Sequence, residues 1–410
     1  MTDAQVLVVG GGPAGASTAW HLARAGVDVV ILDRARFPRD KPCAEYLSPE
    51  ASRILAAMGA LSRCEGAGAA TLAGMSVRAP NGACIRGDFA AAHGFRGFRD
   101  RGLALRRHLL DAIVLDSARA AGARVEEGVR VTDLAYDARG AVCGVHAVNA
   151  DGRSRVLRAP LVVGADGLRS VVLRRLGLAR HAWAPRRIAL VAHYEGVEGA
   201  GAYGEMHVEH DGYLGIARVD GGLANVALVV PRAHARRAAG DPAGFMDRWI
   251  AARAHLAPRF ARAARVSSVR ATGPFAQHAR RAWAPGAALV GDAAAFYDPF
   301  TGEGIYAARR GGELGAPALC DALAARTPRA AHAALAAYDR ARRRAFAGKW
   351  KVERVIALAV AFPALMNHAA RTLSRRKDMA DLLVGVAGDF VPPREVLSWR
   401  YLARLVLPLP

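Results

Sequence analysis

Three acidic residues, each placed where an apolar run gives way to glycine, carry the chemistry open to this sequence. Asp33 closes the apolar run 29–32, Asp166 lies in Gly164-Ala165-Asp166-Gly167 after the run 161–163, and Asp292 lies in Gly291-Asp292-Ala293-Ala294 after the run 287–290. A carboxylate at the C-terminal end of a parallel strand stands where ligands gather in doubly wound sheets. Ahead of all three, Gly10, Gly12 and Gly15 spell GxGxxG, with Gly11, Pro13 and Ala14 between them, joining the apolar run 5–9 to a helix-forming stretch that ends near Arg24. The first glycine permits the turn, the second lets a pyrophosphate approach the backbone, and the third packs helix against strand, while the helix N-terminus favours phosphate charge. Asp33, 18 residues past Gly15, is placed to hydrogen-bond an adenosine ribose. The spacing predicts a dinucleotide site.

The elements that must position these groups follow from pattern. Residues 5–33 read as strand, tight turn, helix, strand. Residues 125–163 hold short alternating runs broken by turn signals at 137–140 and 151–152, which predicts an antiparallel meander, and 187–231 repeat that texture as a second sheet. Helical patterns return at 243–254 and dominate from 303 onward, apart from a strand at 287–290. The stretch Asp298-Pro299-Phe300-Thr301-Gly302-Glu303-Gly304-Ile305 enters a helix, so free N–H groups near Gly302 and Gly304 can face an electron-rich ring. An NAD dehydrogenase needs none of these later elements.

Taken in order, the motifs resemble the FAD-dependent oxidoreductases that unite geranylgeranyl reductases with aromatic hydroxylases of the p-hydroxybenzoate hydroxylase type. The resemblance implies an α/β chain: a Rossmann-type FAD-binding domain (1–77, 102–182 and 276–345), an inserted antiparallel β-sheet substrate domain (78–101 and 183–275) and a helical C-terminal segment (346–410). It implies that Gly10, Gly12, Pro13, Ala14, Gly15, Asp33 and Arg34 hold the adenosine and pyrophosphate of FAD. Arg107, or Arg106 as an equally placed rival, reaches the phosphates. Asp166 belongs to the DG motif, Gly291 and Asp292 meet the ribityl chain, and Pro299, Gly302, Gly304 and Ile305 flank the flavin ring.

The segment Arg36-Phe37-Pro38-Arg39-Asp40-Lys41-Pro42-Cys43 resembles the reductase branch, where this cysteine lies close to the flavin. Cys43 and Glu45 are the catalytic candidates, although Ala44 stands where glycine is usual. Tyr46, His193, Glu205, His207, Tyr213 and Tyr297 fall on segments expected to border the pocket. The GYxWxFP signature of the reductases reads Gly212-Tyr213-Leu214-Gly215-Ile216-Ala217-Arg218 here, without its tryptophan, phenylalanine and proline, and the WxWxIP signature of flavin halogenases is missing. No second strand followed by GxGxxG marks a nicotinamide domain. The resemblance therefore implies transient reduction by NAD(P)H and oxygen-dependent hydroxylation of a lipophilic phenolic or aromatic metabolite in a dry pocket. The alternative is a geranylgeranyl-reductase-like enzyme that saturates isoprenoid double bonds.

Composition bounds these readings. The 410 residues are 52% hydrophobic and 23% charged, enough apolar material for a large core and too much for a disordered tail protein. The net charge of +21 raises a reading from another class, a basic lipid- or nucleic-acid-binding protein without redox activity. The cations are nearly all arginine and are scattered along the chain, whereas a nucleic-acid footprint clusters on one element, so no nucleic-acid partner is expected. The five cysteines show no CxxC or Cys/His spacing, so neither a disulfide scaffold nor a metal site is expected, and a cytoplasmic setting follows. Basic stretches at 340–354 and 371–377 flank the apolar run 355–366, and the tail ends on Trp399, Tyr401, Leu402, Leu405, Val406, Leu407 and Leu409. That run is too short to span a bilayer and is broken by Pro363. Two readings stay open: helices packed on the FAD domain, or a surface in peripheral contact with an anionic inner membrane that admits a greasy substrate.

Overall fold

The structure, a computed structural model, describes residues 2–91, 93–181, 186–302 and 304–406. Glu303, Leu407 and Leu409 lie outside the described residues. Val6–Val9 carries only valine and leucine, 0–4% exposed, as a strand covered on both faces must. It pairs in parallel with Val29–Asp33 on one side and Leu161–Gly164 on the other. The full sheet has six strands in the order Trp283–Ala284, Ala287–Leu289, Leu161–Gly164, Val6–Val9, Val29–Asp33, Arg124–Glu127. All neighbours run parallel except the edge hairpin 283–289. The glycine loop, Asp166 and Asp292 thus leave adjacent strands at the same end of one sheet.

The expected meander at 125–163 needs correction. Arg130–Tyr136, Val142–Val148 and Ser154–Arg158 form a three-stranded antiparallel sheet, but Arg124–Glu127 and Leu161–Gly164 join the parallel sheet. The distinguishing signal is periodicity: Leu161–Gly164 is buried at every position, whereas Ser154–Arg158 alternates.

The second sheet runs Arg187–Glu195, Ala224–Pro231, Gly212–Arg218, Tyr203–Glu209, Gly74–Arg78, Cys84–Asp88, with two short strands at its far edge. Residues 74–77 therefore belong to this sheet, because Gly74–Arg78 pairs in parallel with Tyr203–Glu209. Its two faces separate by strand alternation. Leu190, Leu214, Val226 and Leu228 pack on Met246, Trp249 and Ile250 of the helix Pro242–Ala251. Val191, Met206, Tyr213 and Val229 face the other way, into an apolar cluster shared with the C-terminal helices.

Two long helices complete the body. Gly304–Ala324 lies against Pro13–Arg24, and the contact is close enough that a Cβ on Gly312 would sit 2.7 Å from the Thr18 amide nitrogen. Pro328–Ala361 then packs over it, followed by Pro363–Arg375, Lys377–Ala387, Arg394–Leu397 and Trp399–Val406. Among the described residues no single helix is long and apolar enough to cross a membrane; the pair Pro328–Ala361 and Pro363–Arg375 passes by length and composition but is bent by 112°.

Candidate active site

Gly10 turns the chain with φ of 102°, and a Cβ there would lie 2.6 Å from the Ala165 carbonyl oxygen. A Cβ on Gly15 would lie 1.8 Å from the carbonyl oxygen of Gly10, so neither position accepts a side chain. Gly12 is different: a Cβ there would meet Arg39 Nη2 alone, at 3.4 Å. The loop therefore presents bare backbone with a guanidinium beside it, a cradle for a pyrophosphate. Asp33, 8% exposed, accepts from the amides of Gly11 (2.7 Å) and Ala35 (2.8 Å), and keeps lone pairs for ribose hydroxyls. Arg34 is exposed at the strand's end.

The rival arginines part company. Arg106 donates through its amide and Nε to Asp220 of the second sheet, at 2.8 and 2.7 Å. Arg107 is buried and lines the central cavity, its Nε and Nη2 held by Asp111 at 2.7 and 2.6 Å. Burial pulls the Arg107 guanidinium down, but Asp111 and the Cys43 thiol more than offset it and raise it above its ordinary value. Arg39 sits on the same Asp111 carboxylate at 2.8 Å. Lys41 reaches the second glycine loop, its Nζ 3.3 Å from where a Gly167 Cβ would be. Burial and neighbouring Arg107 lower the Lys41 ammonium, opposed by Asp292 and Asp111.

One cavity, partly open to solvent, runs from Gly12, Pro13 and Ala14 past Cys43, Arg107 and Asp292 to Pro299, Gly302, Gly304 and Ile305. Burial raises the Asp292 carboxyl, against Lys41 and Arg107. Gly291, at φ of 60°, sets this loop 2.7 Å from the Ala14 methyl by the same Cβ criterion. Asp33 and Asp166 are not among the residues lining this cavity, while Gly12 and Gly167 are. Asp166 accepts from the Val171 amide at 2.6 Å, and its buried Oδ1 has no partner, so burial raises this carboxyl too.

Glu45 sits where two spaces meet, lining the main cavity and a second, polar pocket that also contains His193, Arg106 and Arg270. Its φ of 61° is rare for a residue with a side chain. Three groups hold it there: the Arg107 amide donates to Oε1 (2.9 Å), while Asn225 Nδ2 (2.9 Å) and His193 Nε2 (2.7 Å) meet Oε2. Asn225 also donates to the Cys43 carbonyl at 2.9 Å. On the opposite wall, Tyr213 and Arg187 donate to Asp298 at 2.6 and 2.7 Å, which fixes the Pro299–Thr301 turn against the second sheet. Glu205 and His207 form a hydrogen-bonded group with Arg259 that leaves His207 Nδ1 without a partner among the described residues, and Tyr297 lies among His278, Trp350 and Arg354.

The donor set fits a dinucleotide that carries a large ring: a bare-backbone loop with cations at one end, the buried Asp292 carboxyl midway, and at the other end a turn in which a Gly302 Cβ would lie 2.7 Å from the Tyr46 ring. A family model described as an FAD binding domain matches residues 3–353. The chain belongs to this FAD-binding family. Digeranylgeranylglycerophospholipid reductase 2 of Methanopyrus kandleri is 31% identical to the flavoprotein over 327 residues, 77% of each chain. Among solved structures, a flavoprotein/dehydrogenase from Cytophaga hutchinsonii superposes with a TM-score of 0.82 at 20% identity, over 98% of this chain and 95% of that one. The flavin-dependent halogenase CmlS superposes at 0.76 with 25% identity, over 85% of this chain and 63% of its own. The flavoprotein is thus an FAD-dependent oxidoreductase by family, and its cofactor is FAD.

Several residues of the site carried no sequence signal. Arg39 and Lys41 stood in the segment read for Cys43 alone, and Asn225 and Arg187 reach Glu45 and Asp298 only through strand pairing remote in sequence.

Proposed function

We propose that the protein is an NAD(P)H-consuming FAD monooxygenase that hydroxylates a lipophilic phenolic or otherwise aromatic metabolite. The observation that carries this reading is the floor of the cavity. Gly215 and Ala217 line it at the positions where the reductase signature places tryptophan and phenylalanine, which leaves room for a ring-bearing substrate. The walls around that room are Tyr213, Phe275, Phe296 and Phe300, so the space is apolar and suits planar ligands. When bound, FAD supplies the two-electron chemistry that activates oxygen. The chain's own work is placement. Arg39, Lys41 and Arg107 would neutralise the pyrophosphate beside the bare backbone of Gly12, Asp33 and Asp292 would accept from the sugar and ribityl hydroxyls, and Pro299, Gly302, Gly304 and Ile305 would abut the ring. Glu45 would hold a proton-accepting carboxylate at the cavity wall. Turnover under oxygen-18 tests the reading: hydroxylated product carries the label, and an unlabelled product ends the hydroxylase assignment.

A second reading, isoprenoid double-bond reduction, is favoured by Cys43 on the cavity wall beside Arg107 and by the name of the Methanopyrus kandleri relative. Anaerobic saturation of a polyprenyl substrate with a reduced electron donor is its expected signature.

A further inference from the structure

We propose that the C-terminal helices form a bilayer-docking face that recognises anionic phospholipid. Exposed large apolar side chains concentrate there: Val355, Leu358, Phe362 and Leu365 around the bend, and Trp399, Leu402 and Val406 on the last helix, each 39–74% exposed. Helical spacing puts each set on one stripe, since 355, 358 and 362 and likewise 399, 402 and 406 recur at three or four residues. The stripes adjoin, because His368 Nε2 meets the Leu405 carbonyl oxygen at 3.0 Å, and Leu365 lies one turn before His368.

Charge selects the occupant. Lys351, Arg371 and Arg375 are exposed on the same helices, and among the described residues none of them forms an ion pair. Nearby acids are committed, Asp378 to Arg404 and Glu395 to Arg394. A two-fold contact with a second copy would set these cations against each other, because an isologous interface juxtaposes the same patch. Phosphatidylglycerol-type headgroups would instead neutralise them while the apolar stripe enters the acyl boundary. The inner side of the same helices packs, through Ile356, Val360 and Met366, into the cluster that contains Phe275, Phe296 and Phe300 of the cavity, so the face backs directly onto the apolar pocket. The inference does not depend on whether the reaction is hydroxylation or reduction.

The test is co-sedimentation of the full-length, FAD-loaded protein with phosphatidylcholine vesicles, with and without phosphatidylglycerol. Binding to the anionic vesicles is expected, weakening as salt rises, with little binding to neutral ones. Each cation near the surface carries roughly a fivefold effect on partitioning, so Arg371→Glu with Arg375→Glu should reduce binding at least about tenfold. Phe362→Ser with Leu365→Ser should abolish it, whereas Val156→Ser with Val266→Ser, exposed apolar positions elsewhere, should leave it intact. Flavin retention reports that each variant is folded. Absence of binding to anionic vesicles overturns the proposal, as does unchanged binding by either C-terminal variant. A lipid-independent dimer abolished by Phe362→Ser with Leu365→Ser overturns it in favour of self-association.

Discussion

Gly15 is the sharpest single-residue case, because a methyl group there would overlap the Gly10 carbonyl oxygen. Gly15→Ala is expected to shift the whole turn and weaken FAD binding by about 100-fold or more, a loss near 3 kcal/mol, read by flavin fluorescence titration. Glu45 gives a different prediction. Glu45→Gln replaces one carboxylate oxygen by an NH2 that must face either the Arg107 N–H or the Asn225 and His193 pair, and is expected to cost about 1 to 3 kcal/mol in thermal unfolding. Arg309 inverts the usual direction. It is fully buried, none of its guanidinium nitrogens has a hydrogen-bond partner, and burial pushes it down to about 10. Arg309→Met should therefore raise stability by about 1 to 3 kcal/mol in denaturant titration; a loss would show that the charge has a compensating partner. At this scale the sequence was legible where backbone dictates type. Gly10 and Gly15 could be read because no other residue fits the turn, whereas Arg39 and Lys41 could not, since a cation on a loop looks the same whether it faces solvent or a cavity.

Between elements, the helices Pro49–Ala57 and Gly304–Ala324 are joined by Arg53, which grips Glu313 at 2.9 Å through both nitrogens, with Arg310 on the same carboxylate. Burial raises Glu313, yet the two arginines outweigh it and bring the carboxyl down to about 2. A depressed folded-state value contributes stability above the unfolded value of 4.5, and that contribution is lost as pH falls toward 2. Glu313→Gln should flatten the acid limb of a stability profile between those values and cost about 1 kcal/mol at neutral pH, the pair being partly exposed. The Tyr213–Asp298–Arg187 group is drier. Asp298→Ala leaves Arg187, 4% exposed, without its carboxylate and should destabilise by about 3 kcal/mol while loosening the Pro299–Thr301 turn. The parallel strands were legible as continuous apolar runs, and the second sheet as alternation. The extent of the meander was not, because four-residue strands such as 124–127 and 161–164 are too short for their periodicity to stand out from the alternating strands between them.

For the molecule as a whole, FAD acts as a structural ligand. At 100 times its dissociation constant, free FAD should add about 2.7 kcal/mol to unfolding, seen as a rise in Tm that grows with FAD concentration. The order of motifs along the chain made the FAD-binding architecture readable, since three strand-end carboxylates must converge in a doubly wound sheet. What encloses the substrate was not readable, because Asn225, Ala227, Thr272 and Phe275 reach the cavity from positions remote in sequence. The segment 41–45 has one further consequence. It is fastened to the second sheet by Asn225 and His193 and to the helix Arg107–Ala120 by the Arg107 amide, while Arg106 ties the start of that helix to Asp220. With both halves stitched through one short strap, a swing of one against the other would have to break these bonds. Guest molecules are therefore expected to thread a standing aperture rather than wait for jaws to open and shut.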